Sequence, residues 1–337
     1  MTASVFNILT HGRVEPDLLE QVNVEVAMVE EELRHQIDSA VDLVHRVGKH
    51  TLDAGGKRLR PAFVGLAAKA TGLPFDPVRA RKLGTALEMV HMATLIHDDV
   101  IDNSATRRGR STAAQEFGNT ASILCGDVLL AKAMMLMARD GDVSLIRTVS
   151  EAVVDMAEGE VRELELRGDF DLDEAIHLGV LRLKTASFIE CCCEVGGIIA
   201  GADASVCQAL RDYGYHVGMA FQIIDDILDY RGDKVKTGKP IATDFKEGQA
   251  TLPLIYLRPL LSEAEATIAR RRFGNGVSDD EVRMIVDWMD TRGAFEKAES
   301  EARKHIALAL TAIEDIEKSP SRDLLTTVAE FVVLRQA

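Results

Sequence analysis

Apolar residues recur three and four positions apart over most of the chain, as in Leu83, Ala86, Leu87 and Val90, a spacing that gathers them on one face of a 3.6-residue helix. Long stretches rich in Ala, Leu, Met, Glu and Arg repeat the pattern. Alternating runs of Val, Ile and Thr bounded by tight glycine turns are scarce, so no substantial sheet is expected. The helical pattern breaks at Ala54-Gly55-Gly56, Thr71-Gly72-Leu73-Pro74, Asp140-Gly141-Asp142, Gly168-Asp169, Gly201-Ala202-Asp203 and Phe273 to Ser278. Between these breaks lie helices of ordinary length. No Pro/Ser-rich linker and no solenoid-length repeat is present, which predicts one all-α domain over 1–337, with 1–25 as an N-terminal extension. The polar stretch from Arg231 to Gln249 is long for a compact bundle and reads as a functional loop.

At 337 residues and 47% hydrophobic content, the chain can bury a large core. Its formal net charge of -15 argues against a nucleic-acid partner, which needs a dominant basic surface. Five cysteines, three of them consecutive at 191 to 193 and none in a C-x-x-C pair, fit neither a zinc site nor a disulfide framework. They read as small buried hydrophobes in a reducing cytoplasm. The first twenty residues lack the apolar core of a signal peptide. The most apolar stretch, Ser122 to Ala138, is interrupted by Asp127 and Lys132, so no membrane span is expected.

Two acidic clusters change this bland picture. Asp98, Asp99 and Asp102 follow an apolar segment from Met89, and on a helix Asp98 and Asp102 share a face with His91 and Thr94 beneath them. Like charges one turn apart repel, so their place beside apolar neighbours implies a compensating cation. The same construction recurs 127 residues later at Asp225, Asp226 and Asp229, above Phe221, Gln222, Gly218 and Gly214. Oxygen-only ligands favour a hard cation, and magnesium commonly completes its shell with water and substrate phosphate. Each helical glycine costs about 1 kcal/mol relative to alanine; open space beneath the second cluster is the expected reason for Gly214 and Gly218.

Two basic stretches accompany the carboxylates. Gly55-Gly56-Lys57-Arg58-Leu59-Arg60-Pro61 sets three cations beside a glycine turn, and Thr106-Arg107-Arg108-Gly109-Arg110 follows the first acidic cluster. Arginine forks hold phosphate bidentately and lysine adds a point charge, so both stretches read as anion grips. The segment Gly232 to Lys239 is not a P-loop, because Pro240 stands where Ser or Thr is required.

With these residues assembled, the chain resembles the trans-type polyprenyl diphosphate synthases from about Val26 to its C-terminus. The resemblance is carried by residues 55 to 61, His91 to Asp102 with Arg107-Arg108-Gly109, Lys184-Thr185, Phe221 to Asp229 and Gly238-Lys239-Pro240. It implies an all-α isoprenoid synthase bundle around a central cavity, usually a homodimer, with the acidic helices facing each other at the cavity mouth. It further implies magnesium, several ions per site, on Asp98, Asp102 and Asp225, with Asp229 an indirect or alternate ligand and Asp99 and Asp226 supporting metal-bound water. Lys57, Arg60, His91 and Arg108 match the isopentenyl diphosphate site. Arg107, Lys184, Thr185, Gln222 and Lys239 match the site of an allylic diphosphate such as farnesyl or geranylgeranyl diphosphate. The implied reaction is sequential 1'-4 condensation of the two, with Asp98, Asp102, Lys184, Thr185, Gln222 and Asp225 catalytic. One lysine of the pattern is missing: where many members read Glu-Gly-Lys-x-Thr-Leu-Pro, this chain has Glu247-Gly248-Gln249-Ala250-Thr251-Leu252-Pro253. Gln249 donates hydrogen bonds but adds no charge, which puts the strength of allylic phosphate binding in doubt.

Product length is expected to depend on what lies beneath the first cluster. Ala93 and Thr94 stand where short-chain members often carry a bulky aromatic, so the way down is open and the segment is most like the octaprenyl-type, quinone-tail branch. Met134, Met135 or Met137 is expected toward the cavity floor, as a flexible thioether suits an isoprenoid. A geranylgeranyl or farnesyl diphosphate synthase, a terpene cyclase and a catalytically silent subunit of a heteromeric synthase are the alternatives. The reading is of a cytoplasmic enzyme that leaves room for transient membrane contact during product release.

Overall fold

The computed structural model describes residues 16–232 and 241–334, with side chains from residue 20. In chain order its helices are α1 (Pro16–Gln36), α2 (Asp42–Asp53), α3 (Leu59–Ala70), α4 (Pro77–Ile101), α5 (Ala113–Phe117), α6 (Asn119–Asp140), α7 (Val143–Leu166), α8 (Glu174–Leu181), α9 (Ser187–Ile199) and α10 (Ala204–Arg231). They continue as α11 (Thr243–Glu247), α12 (Leu252–Leu257), α13 (Glu263–Arg272), α14 (Asp279–Thr291), α15 (Ala294–Ala312) and α16 (Pro320–Val332). A π-helical turn, Arg182–Ala186, joins α8 to α9. The sole sheet among the described residues is a ribbon pairing β1 (Thr106–Arg107) with β2 (Arg110–Ser111), so the all-α reading holds.

Contacts group the chain into two compact units. One holds the chain up to Glu151 with Cys191–Leu210 and Asp315–Thr327; the other holds Ala152–Glu190, Arg211–Glu314 and the chain from Val328 on. In the first unit α4 packs against α3 and α6. Asp76 caps α4 by accepting from the Val78 N–H, with Pro77 in the first turn, a combination suited to a helix start. Burial runs all round α4, from Leu83 through Leu87, Val90 and Ala93 to Ile96, which is why its apolar pattern is broader than one stripe. Close approach to α6 depends on Gly126, where a Cβ would fall 2.3 Å from His97 Nε2. Cys191, Cys192 and Cys193 are buried in this unit, and burial pushes the Cys192 thiol up to about 12. Helix α1 already begins at Pro16, and Val22 is buried. Helix α6 is long and apolar enough to cross a membrane, with 33% of its most apolar window buried.

The second unit is built around the part of α10 from Arg211 on, whose Tyr213, Val217, Ala220, Ile223, Ile227 and Tyr230 are buried. Here the glycines of α10 have a different cause from the one expected. A Cβ on Gly214 would lie 2.7 Å from Ile189 O, and one on Gly218 would lie 2.6 Å from Ala186 Cα. Both positions are filled by close backbone packing, not open space. Helices α13 and α14 start in full capping boxes, Ser262 with Glu265 and Ser278 with Glu281.

Candidate active site

The first acidic cluster ends α4. Asp98 lies in its last turn and Asp102 is its C-cap residue, with Asp102 N–H donating to Asp98 O at 2.8 Å. Asp99 is buried and accepts from Arg107 Nε at 2.8 Å, so Arg107 is already paired with this cluster. The chain then turns back through the β1–β2 ribbon, whose two turn residues Arg108 and Gly109 have φ of 52° and 74°. Positive φ at both central positions belongs to the tight turn that matches strand twist. The Arg-Arg-Gly run thus specifies a hairpin as well as supplying charge.

The hairpin carries Arg108 to the loop before α3. A Cβ on Gly56 would meet Arg58 Nη1 at 2.6 Å and Arg108 Nη1 at 3.0 Å, so only glycine admits both guanidiniums. Burial, followed by the charges of Arg60, Arg108, Arg107 and Arg58, holds the His91 imidazole well below its ordinary range. His91 is therefore neutral among cations. Arg58 is not part of the grip: it is buried, with φ of 49°, and donates to Glu88 at 3.1 Å, Glu30 at 3.3 Å and Leu52 O at 3.2 Å. With Arg58 matched to Glu88, the unpaired excess of charge rests on Arg60 and Arg108, and Arg60 Nε is buried without a hydrogen-bond partner. Lys57 is exposed on the same loop. Arg60, His91 and Arg108 are thus gathered as the sequence suggests, into a region suited to an anion.

The second cluster lies within the other unit. Thr185 Oγ1 donates to Gln222 Oε1 at 3.1 Å, Gln222 Nε2 to Asp226 Oδ1 at 3.4 Å, and His177 Nε2 bonds Asp226 Oδ2 at 2.9 Å. Lys184 and Thr185 reach this row because the π turn inserts an extra residue into the helix, a device common at functional sites. Gly159 admits the turn: a Cβ there would fall 2.7 Å from Lys184 N. Lys184 Nζ pairs with Glu160 at 2.9 Å and with Glu163. Although burial alone would lower it, these carboxylates raise the ammonium well above its usual range. Asp229 accepts from the N–H groups of Thr243 at 3.2 Å and Asp244 at 3.1 Å. Burial, then Asp229, Asp226 and Glu163, push the Asp244 carboxyl well above its ordinary range.

Lys239, with Gly238 and Pro240, lies outside the described residues. Ala93 is buried on α4, Thr94 is half-buried with Oγ1 donating to His91 O at 2.9 Å, and Met134 is half-buried on α6. Met137 is buried and Met135 exposed. Four residues of the site lie beyond what spacing reveals: Glu160, Glu163, His177 and Asp244. A Glu pair at i, i+3 beside the helical glycine Gly159 is the one local signal; Asp244 reaches the cluster through chain closure.

The donor set fits a hard cation. Asp225, Asp226, Asp229 and Asp244 offer only oxygen, and burial together with the charges of Asp229, Asp226 and Glu163 pushes the Asp244 carboxyl up. Among the described residues no three His, Cys, Asp or Glu side chains form a closed cage.

Comparison with known proteins gives one consistent answer. The polyprenyl synthetase family model matches residues 41–289. The chain is 34% identical over 321 residues to octaprenyl diphosphate synthase of Escherichia coli K12, covering 94% of this chain and 99% of that one. It is 35% identical over 319 residues to an all-trans-nonaprenyl-diphosphate synthase of Rhodobacter capsulatus, covering 95% and 97%. A polyprenyl synthase from Caulobacter crescentus CB15, solved with calcium and isoprenyl diphosphate, superposes with a TM-score of 0.90 at 34% identity, over 95% of this chain and 97% of that one. The chain belongs to the polyprenyl synthetase family, a family of prenyltransferases.

Proposed function

We propose that the protein is a magnesium-dependent all-trans polyprenyl diphosphate synthase that adds isopentenyl diphosphate repeatedly to a farnesyl or geranylgeranyl diphosphate primer, giving a long chain for a quinone side chain. The observation that carries it is the cationic setting of His91, where Arg60 and Arg108 gather within a chain of net charge -15. Such a concentration of like charge is costly unless an anion completes it.

Lys57, Arg60 and Arg108 bind the diphosphate of isopentenyl diphosphate, and neutral His91 donates a hydrogen bond without adding repulsion. Within the second unit Lys184, Thr185 and Gln222 hold the allylic diphosphate, with Asp225 presenting metal-binding oxygens and Asp229 steadied by the loop N–H groups; within the first unit Asp98 and Asp102 present metal-binding oxygens. Bound magnesium supplies charge neutralisation for the leaving diphosphate. The allylic C–O bond breaks as the double bond of isopentenyl diphosphate attacks, and the proton lost from the new chain goes to the departing diphosphate. The reading also takes the chain as one catalytic domain, cytoplasmic and homodimeric. The exposed Ile123, Leu124 and Met135 on α6 support a subunit contact there, and light-scattering mass tests it.

The experiment is incorporation of labelled isopentenyl diphosphate by the purified chain alone, before and after chelation and return of magnesium. Incorporation that is lost and regained supports the reading. An inactive chain that gains activity only with a second protein would make it a subunit of a heteromeric synthase.

A further inference from the structure

One buried carboxylate, Glu88, lies among the cations of the first unit and has no part in the reaction proposed above. It stands one turn before His91 on α4 and is 2% exposed. Its Oε1 accepts from Arg58 Nη1 at 3.1 Å, while its Oε2 is buried without a hydrogen-bond partner. Burying a carboxylate is costly unless its charge is matched. With one oxygen unused, Glu88 acts here through its charge more than through its hydrogen bonds.

That charge has two guanidiniums to serve. A Cβ on Gly56 would meet both Arg58 Nη1 and Arg108 Nη1, so the two cations face each other across a single glycine. Both are held in place. Arg58 is 3% exposed, with Nη2 donating to Leu52 O at 3.2 Å and Nε to Glu30 at 3.3 Å. Arg108 rides on the β1–β2 hairpin, which is tied down at three points: Arg107 to Asp99 at 2.8 Å, Thr112 Oγ1 to Ser104 O at 2.7 Å, and His50 Nε2 to Ser111 O at 2.8 Å. Burial, then the charges of Arg58 and Arg107, lower Arg108 from its ordinary value, and Glu88 favours its charged form. Glu30, the other carboxylate on Arg58, is 37% exposed and screened by water. The buried counter-charge is Glu88.

We infer that Glu88 is a positioning residue for isopentenyl diphosphate: by cancelling Arg58 it allows Arg108 to stay beside Arg60 and His91 and hold the diphosphate. The inference rests on the proposed synthase activity. Without that carboxylate, Arg58 becomes an uncompensated buried charge facing Arg108, and like charges in a poorly solvated setting repel strongly. Arg108 is then displaced from the grip, although nothing in the grip itself has been altered.

The test measures binding of isopentenyl diphosphate by calorimetry without primer, where no condensation occurs, alongside KM for isopentenyl diphosphate and for farnesyl diphosphate. Glu88→Gln is expected to weaken isopentenyl diphosphate binding about tenfold and to raise its KM, leaving KM for farnesyl diphosphate within about twofold. Arg58→Gln added to Glu88→Gln removes the uncancelled charge and should restore binding to within about threefold, a recovery that loss of packing alone does not give. If Glu88→Gln does not fold, the neutral double variant decides: near-native binding of isopentenyl diphosphate supports the inference, and a tenfold loss or failure of that variant to fold overturns it. Unchanged or tighter binding by a folded Glu88→Gln, an equal rise in both KM values, or a folded double variant with no recovery overturns the inference while leaving the activity standing. An unsubstituted chain that neither binds isopentenyl diphosphate nor consumes it with farnesyl diphosphate overturns the activity and the inference together.

Discussion

At the scale of single residues, chemistry and packing use the same letters for different ends. Asp98 and Asp225 stand out in the sequence as candidate cation ligands because carboxylates at i, i+1 and i+4 beside apolar residues have few structural uses. Asp98→Ala and Asp225→Ala should each lower turnover by orders of magnitude in steady-state assays with intact far-UV circular dichroism; near-normal rates in either would remove that cluster from the mechanism. Gly214 and Gly218 were legible as costly but not as to cause, because a helical glycine marks equally a void or a close approach. The contact with Ala186 decides it. Gly218→Ala forces overpacking, so stability should fall by about 1–3 kcal/mol in urea denaturation, whereas a void would give a neutral or stabilised variant. Arg58 shows the opposite ambiguity: within a run of three cations, only burial against Glu88 separates the structural arginine from those available to an anion.

At the scale of elements, the breaks read from glycine and proline coincide with helix ends, since those residues act on local backbone. The hairpin and the π turn did not announce themselves. Two-residue strands are too short for alternation, and Arg108 at positive φ is sterically unusual. The π turn depends on Gly159, some twenty-five residues earlier, for room. Between α10 and α15, His216 Nδ1 and His305 Nδ1 stand 2.9 Å apart. Burial and His216 bring His305 down to about 4, against Glu301, which favours the charged form, with Lys304 opposing it; burial likewise lowers His216 despite Asp212. The unfolded chain therefore takes up these protons first. Stability is complete above the ordinary histidine range near 6.5 and declines as pH falls from there toward about 4. His305→Gln should flatten that decline in urea midpoints compared between pH 7 and pH 5.5; an unchanged slope would contradict it. On α4, Ala93→Phe should shorten the product ladder on reversed-phase chromatography, and an unchanged ladder would place the growing chain elsewhere.

At the scale of the whole molecule, net charge and composition excluded partners without naming a substrate. A charge of -15 is compatible with anionic substrates because exposed charges are screened over about 8 Å at physiological salt. The helical class followed from periodicity alone, and the ordered motifs carried the family. The Lys184 clamp and the Asp244 approach were hidden because they join positions far apart in sequence. The most direct test is mass analysis of products made by the purified chain from isopentenyl diphosphate and farnesyl diphosphate with magnesium. The account predicts all-trans polyprenyl diphosphates longer than geranylgeranyl diphosphate; no condensation product, or a ladder that stops at geranylgeranyl diphosphate, would contradict it.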